Sequence, residues 1–327
     1  MMHGMRDIRR ILVAVKDPSA RSLPAVAKAA QLAVALGAHL ELFHAIDTSV
    51  YADTLGMSQE RLGALQRGER AQYLQRLERI AARVRLHGAE VSVRAEWDYP
   101  GYEAVIREAG RFGADLIVAE RHPRRHIAPG LLGLADWELL RLSPMPVLLV
   151  KRARPYHRPV ILAAVDPTHA FAKPARLDDE ILAAGERFGA ALRGRLHVMH
   201  AYDPLRAGLL SVSGAPVADL EQSVVTESQA AFDRCLKSSG IPSSRRHLVG
   251  LHPVDAVVAT AREVRGDIVV MGAVSRSGVK RLFIGNTAEQ LLDRLPCDLL
   301  IVKPPRFAAR VPRARRGVRL IVLQAPY

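Results

Sequence analysis

The stretch MGAVSRSGVKRLFIGNTAEQ, Met271 to Gln290, carries glycines at 272, 278 and 285 around a basic middle and reaches an Asn-Thr pair before a helix-like run. A glycine directly after a strand lets backbone N–H groups approach an anion with no side chain in the way. Gly285-Asn286-Thr287 would then open a helix whose free N–H groups and dipole favour a phosphate. Arg276, Lys280 and Arg281 could add positive charge, and Asp166 could accept hydrogen bonds from a ribose hydroxyl. That combination suits an adenine nucleotide. It is not a Walker A loop, because GAVSRSGVK has the wrong spacing and no Lys-Ser/Thr after its second glycine.

The same residues also fit a reading without a ligand. Asn286 with Glu289 three residues on is a good capping pattern. Gly285 serves a turn, the cations face water, and Asp166 before Pro167 caps the next segment. The residues alone leave both readings open. Elsewhere, His122 and His126 sit four apart in HPRRH, as metal ligands on a helix would. Pro123 opposes a regular helix there and Arg124 and Arg125 repel a cation, so a surface loop is the better reading. His44 and His200 fall at strand ends and read as core-edge residues. Cys235 and Cys297 read as buried thiols of a reducing compartment. No nucleophile and base suggest a catalytic pair. A nucleotide hydrolase using the same crevice would need a water-positioning group or metal ligand, for which Asp166 is the one obvious candidate.

These residues are positioned by a tandem repeat. ILVAVKD (11–17) is echoed by ILAAVD (161–166), and LELFHAID (40–47) by LHVMHAYD (196–203). YPGYEAVIREAGRFGADLIV (99–118) matches HPVDAVVATAREVRGDIVV (252–270), and LLGLADWELLRLSPMPVLLVK matches LFIGNTAEQLLDRLPCDLLIVK. The order is kept throughout, which divides the chain into residues 1–152, 153–305 and a basic tail, 306–327, expected to be flexible. Each copy alternates short β-branched runs with helical periodicity. In the first copy helices are expected over Leu23–Leu36, Gln59–His87, Tyr102–Arg111 and Asp136–Arg141, the first ending at Gly37. Such alternation predicts an α/β fold, a doubly wound parallel sheet with helices on both faces. Ligands of such sheets bind at the carboxyl ends of the strands, where the strand order reverses. The acid after the first strand, Asp17 or Asp166, and the loop after the fourth, Glu120–Gly133 or Gly272–Gly285, would meet there.

In the first copy Ala119-Glu120 replaces Met271-Gly272 and Leu134-Ala135 replaces Asn286-Thr287, so the cradle is gone and that half is expected to be structural. The apolar connection Ala207–Leu220 could flank a cavity suited to an acyl-type ligand, and packing between the halves explains it as well.

The 327 residues suffice for two domains with cores of their own. No apolar run has membrane-spanning length, and MMHGMRDIRR has no signal-peptide h-region, so the cytoplasm is the expected compartment. The formal net charge of +14 concentrates partly in KRARPYHRP (151–159) and in the tail. Such runs are usually solvated, so nucleic acid is expected to bind only nonspecifically, through the tail, and less as salt rises.

GNTAEQLLDRLPCDLLIVKP (285–304), preceded by DIVVMGAVSRSG (267–278), closely resembles the universal stress proteins. DWELLRLSPMPVLLVK (136–151) resembles the degenerate first half of their tandem, UspE-like branch. The resemblance spans everything but the basic tail. It implies two domains, each a five-stranded parallel sheet of order 3-2-1-4-5, packed as an intramolecular pair like the dimers of single-domain relatives; a homodimer of the whole chain stays open. It implies a role in stress tolerance as a ligand-binding or regulatory module, with ATP, and magnesium alongside it, as the candidate cofactor. The ATP-binding members carry Gly, two residues, Gly, nine residues, then Gly followed by Ser or Thr. Gly272 and Gly285 match the first and third positions. Ser275 replaces the second glycine and Asn286 replaces the Ser or Thr, while Asp166 matches the acid that contacts the nucleotide.

Overall fold

The computed structural model describes residues 7–53, 58–121, 134–168, 176–203, 217–272, 291–304, 307–308 and 310–323. The chain divides into two compact units. One joins Asp7–Pro155 to Ala308–Tyr327, and the other contains Tyr156–Phe307.

The first unit contains strands β1 (Arg10–Ala14), β2 (His39–Ile46), β3 (Ser49–Asp53), β4 (Val91–Trp97), β5 (Leu116–Glu120) and β6 (Val147–Val150). Its helices are α1 (Pro24–Leu36), α2 (Gln59–Arg85), α3 (Gly101–Phe112) and α4 (Leu134–Leu142). The main sheet runs β4-β2-β1-β5-β6, every pair parallel. Ile11–Val13, Leu116–Val118 and Val147–Val150 are wholly shielded, as apolar runs in a sheet covered on both faces must be. At the edge, β4 buries Val91, Ala95 and Trp97 and leaves the residues between them part-exposed. Pro24 opens α1, where a missing N–H costs nothing, and Gly37 ends it in the left-handed region at φ 63°. Just before β5, Asp115 Oδ2 accepts the amides of Arg9 and Arg10 at 2.9 and 3.0 Å, which fixes β1 against β5.

The second unit repeats the plan with β7 (Val160–Val165), β8 (Arg195–Tyr202), β9 (Arg246–Gly250), β10 (Ile268–Gly272) and β11 (Asp298–Val302). Its helices are α5 (Leu177–Ala191), α6 (Val217–Leu236) and α7 (Pro253–Glu263). The strands run β9-β8-β7-β10-β11, again all parallel. Asp267 Oδ2 accepts the amide of Val160 at 2.9 Å, the same tie that Asp115 makes in the first unit. Among the described residues no helix is long and apolar enough to cross a membrane.

Two segments differ from the solvated, flexible character that their charge suggests. In the connection 151–159, Tyr156 is buried and donates its hydroxyl to Asp298 Oδ2 at 2.6 Å, so the second unit begins on an anchor. The tail rejoins the first unit: β12 (Arg319–Leu323) pairs in parallel with β3 in a small second sheet. Its arginines meet Glu96, Asp98 and Glu103 of the first half. Counting the charge of the tail alone overlooks these acids, which lie more than two hundred residues earlier.

Candidate functional site

The crevice of the second unit opens where β7 has β8 on one side and β10 on the other. The register pairs Met271 with Ala164, so Gly272 ends its strand beside Val165, and Asp166 is the next residue out. The amide of Asp166 donates to Asp178 Oδ1 at 3.0 Å. Asp178 is buried in the first turn of α5, which also holds Asp179 and Glu180. Carboxylates at that helix end favour the exposed N–H groups and the dipole, and one of them reaches across to hold the end of the central strand.

The carboxylate of Asp166 is used only in part. Oδ1 accepts the hydroxyl of Thr168 at 3.1 Å. Oδ2 is buried and has no hydrogen-bond partner among the described residues. A buried acceptor left unpaired costs free energy, and native structures keep few of them. Of the sequence-predicted site residues, Asp166 and Gly272 are brought to the same crevice. Ser275, Arg276, Gly278, Gly285, Asn286 and Thr287 lie outside the described residues, as do Lys280, Arg281, His122, His126 and most of the Ala207–Leu220 connection.

Gly272 has a packing role of its own. A β-carbon there would stand 2.5 Å from Leu177 Cδ2 and 2.8 Å from Cγ. The start of α5 therefore packs against the end of β10 so closely that a side chain at 272 would have to displace Leu177, with or without an anion nearby. Leu177 and Asp178 are the residues that the sequence reading missed. The run of three acids at the start of a helix was the available signal, but nothing in it specified which acid would turn inward.

The two matched histidines make the same tie in both units. His44 Nδ1 donates to the carbonyl of Val15 at 2.8 Å, and His200 Nδ1 lies 3.3 Å from the carbonyl of Val165. A carbonyl only accepts, so Nδ1 carries the proton in each ring. Burial lowers the His44 pKa and favours the neutral ring. An aromatic ring packs beside each histidine: Tyr73 with centroids 4.3 Å apart in the first unit, Phe232 at 6.1 Å in the second. Each histidine thus fixes the end of the central strand from the neighbouring strand.

The corresponding crevice of the first unit is a different environment. It is a cavity of about 20 Å³ between the end of β1 and the start of α1, lined by Lys16, Asp17, Ser22 and Glu120 among others. That is room for about one water molecule. Asp17 Oδ1 accepts both the hydroxyl and the amide of Ser19, which hold its carboxyl below the usual range. Lys16 is paired with Asp136 of α4. Glu120 lines the space where the second unit has Gly272, and the lysine beside it is engaged, which disfavours a phosphate. Among the described residues of the chain, no three His, Cys, Asp or Glu side chains converge as metal ligands.

A sequence model of the universal stress protein family matches residues 7–151 and again 160–303. Universal stress protein E of Escherichia coli K12 is 26% identical over 311 residues, covering 92% of this chain and 96% of its own length. The protein of that name from Photorhabdus laumondii is 24% identical, covering 95% and 100%. Among solved structures, a functionally unknown protein from Pseudomonas aeruginosa PAO1 superposes with a TM-score of 0.70 at 26% identity, covering 92% of this chain and 94% of its own. A universal stress protein from Archaeoglobus fulgidus, at 16% identity and a TM-score of 0.62, covers 91% and 99% and shares the fold.

Proposed function

The chain belongs to the universal stress protein family, and we propose that it serves stress tolerance as a ligand-binding or regulatory module whose second half takes an adenine nucleotide. The observation that carries this reading is Asp166 Oδ2, a buried carboxylate oxygen at the carboxyl end of β7 without a partner among the described residues. A ligand hydroxyl reaching that oxygen would form a charge-assisted hydrogen bond and relieve an unpaired acceptor. Ribose offers two adjacent hydroxyls. Asp178, through the Asp166 amide, and His200, through the Val165 carbonyl, would hold the carboxylate in place.

The phosphates would lie towards the loop that follows Gly272, where the sequence supplies Ser275, Arg276, Gly278 and the Gly285-Asn286-Thr287 helix start. Those assignments rest on sequence. Bound there, ATP would supply a polyanionic, hydroxyl-bearing ligand, and no hydrolytic step is assigned to it. The first half serves as scaffold in this reading, because Glu120 stands where the second half has Gly272 and a phosphate would have to approach.

Calorimetric titration with ATP, with and without magnesium, tests the reading on wild type and on Asp166→Ala. Wild type should bind saturably. The variant should bind roughly 10- to 150-fold more weakly, since a hydrogen bond to a charged group contributes roughly 1.5–3 kcal/mol. No heat from a folded wild type would remove the nucleotide reading, and equal affinities would remove Asp166 from it.

A further inference from the structure

The first half holds the C-terminal arm in the way a peptide-binding domain holds its ligand. Arg316 places Nη2 3.0 Å from each carboxylate oxygen of Glu103. Its backbone amide donates to Asp98 Oδ1 at 3.0 Å, and its guanidinium lies 5.9 Å from the centroid of the Tyr99 ring. Arg315 Nη1 is 3.1 Å from Glu96 Oε2. Arg107 Nη1 donates to the carbonyl of Pro312 at 3.2 Å, so the arm is held by its backbone as well as by its side chains. Beyond Arg316 the arm becomes β12, which adds to β3 in register from Arg319 opposite Ser49 to Leu323 opposite Asp53.

The receiving surface also has ties within the first half. Arg107, 7% exposed, spans Asp98 at 2.8 Å and Glu103 at 2.9 Å and holds both carboxylates in position. Glu96 is flanked by Arg70 and Arg94 at 3.1 and 2.9 Å. The surface lies at the carboxyl end of the edge strand β4, immediately before α3. Arg315 and Arg316 remain almost half exposed, at 45% and 44%. Exposed ion pairs of this kind are individually weak, and an isolated two-stranded sheet is marginal. The arm is therefore held by many small contacts that a competing strand could replace one by one. Main-chain pairing supplies affinity in such strand addition, and side-chain pockets supply specificity.

We propose that this edge of the first half is a recognition site for extended, arginine-bearing peptides, which the chain's own arm occupies in cis. The required ligand has two consecutive arginines, the second forked onto Glu103, followed by a strand-forming apolar run. The inference stands apart from the nucleotide reading, since it concerns the other unit and uses none of the same residues.

The test uses the full-length chain and a fluorescein-labelled synthetic peptide with the sequence of residues 310–323. In Arg315→Glu/Arg316→Glu, repulsion from Glu96 and Glu103 should release the arm, and amide exchange of Ser49–Asp53 should quicken. That variant should bind the peptide saturably in fluorescence anisotropy, at least tenfold more tightly than wild type, whose site is occupied. Adding Glu96→Gln and Glu103→Gln should abolish the binding. Equal peptide affinity in wild type and variant would overturn the proposal. So would quickened exchange without peptide binding, or exchange at Ser49–Asp53 that stays slow in the variant. Far-UV circular dichroism on every variant separates loss of the site from loss of the fold.

Discussion

Leu177 occupies the space that a side chain on Gly272 would need, its Cδ2 2.5 Å from the position of a β-carbon there. The glycine that reads in sequence as an anion-binding feature is thus also favoured by the contact between α5 and β10. Gly272→Ala should destabilise the protein by about 1–3 kcal/mol, the usual range for overpacking, in the absence of any nucleotide. Chemical denaturation of ligand-free protein measures this. Leu177→Ala/Gly272→Ala should be more stable than the sum of the single changes allows, since removing Leu177 makes room for the new methyl. Additive effects in that cycle would show that the contact does not dictate the glycine. For the same reason a bulky residue at 272 is a poor test of nucleotide binding.

Glu41 on β2 is 4% exposed and lies against Glu108 of α3. Arg111 is 3.1 Å from Glu41, and Arg94 is 3.2 Å from Glu108. Burial, followed by the interaction with Glu108, pushes the Glu41 carboxyl up to about 7. Its folded pKa lies above its unfolded one, so the native state binds the extra proton between them. The resulting stability is fully present below the unfolded value near 4.5 and is lost as pH rises through about 7. Glu41→Gln should keep the hydrogen bond to Glu108 without the titration. Urea midpoints of wild type should therefore fall relative to the variant between about pH 4.5 and about pH 7. Curves that run parallel across that window would refute the shift.

Arg107 compensates two buried carboxylates, Asp98 and Glu103, whose side chains are 3% and 10% exposed. Arg107→Met keeps much of the stem packing and removes the charge. Breaking one side of a buried pair costs about 3–5 kcal/mol, because a charge is left uncompensated, here that of Asp98, while Glu103 keeps Arg316. The variant should lose about that much stability and should also loosen the arm, which Arg107 holds through Pro312. Adding Asp98→Asn should recover part of the loss. Wild-type stability in Arg107→Met would mean that solvent already neutralises the pair.

Much of the fold was legible because it is written locally and written twice. Apolar β-branched runs, the left-handed Gly37 and the repeated ILVAV/ILAAV and DLIV/DIVV pairs state where strands lie, and alternation with helices forces parallel pairing. Helix ends moved by one or two residues, as at Gln59–Arg85 and Gly101–Phe112, where terminal turns carry little periodic signal. The position of Asp166 after the first strand of its copy, and the degeneracy at Glu120, were also legible, since both follow from register in a repeat.

The sequence by itself determined the duplication, the α/β class and the crevice to which Asp166 and Gly272 belong. Only the tertiary structure decided that Gly272 packs against Leu177, that Asp178 grips the Asp166 amide while Oδ2 has no partner among the described residues, and that His44 and His200 tie strand ends. It also decided the fate of the arm. Read alone, six arginines at 306, 310, 313, 315, 316 and 319 without an acid among them signify a solvated tail. Glu96, Asp98 and Glu103, the partners of Arg315 and Arg316, are distant in the chain and become neighbours only when β4 and α3 are in place. Side-chain chemistry and spacing are local properties, whereas compensation of charge and exclusion of a β-carbon depend on which distant residues fold against them.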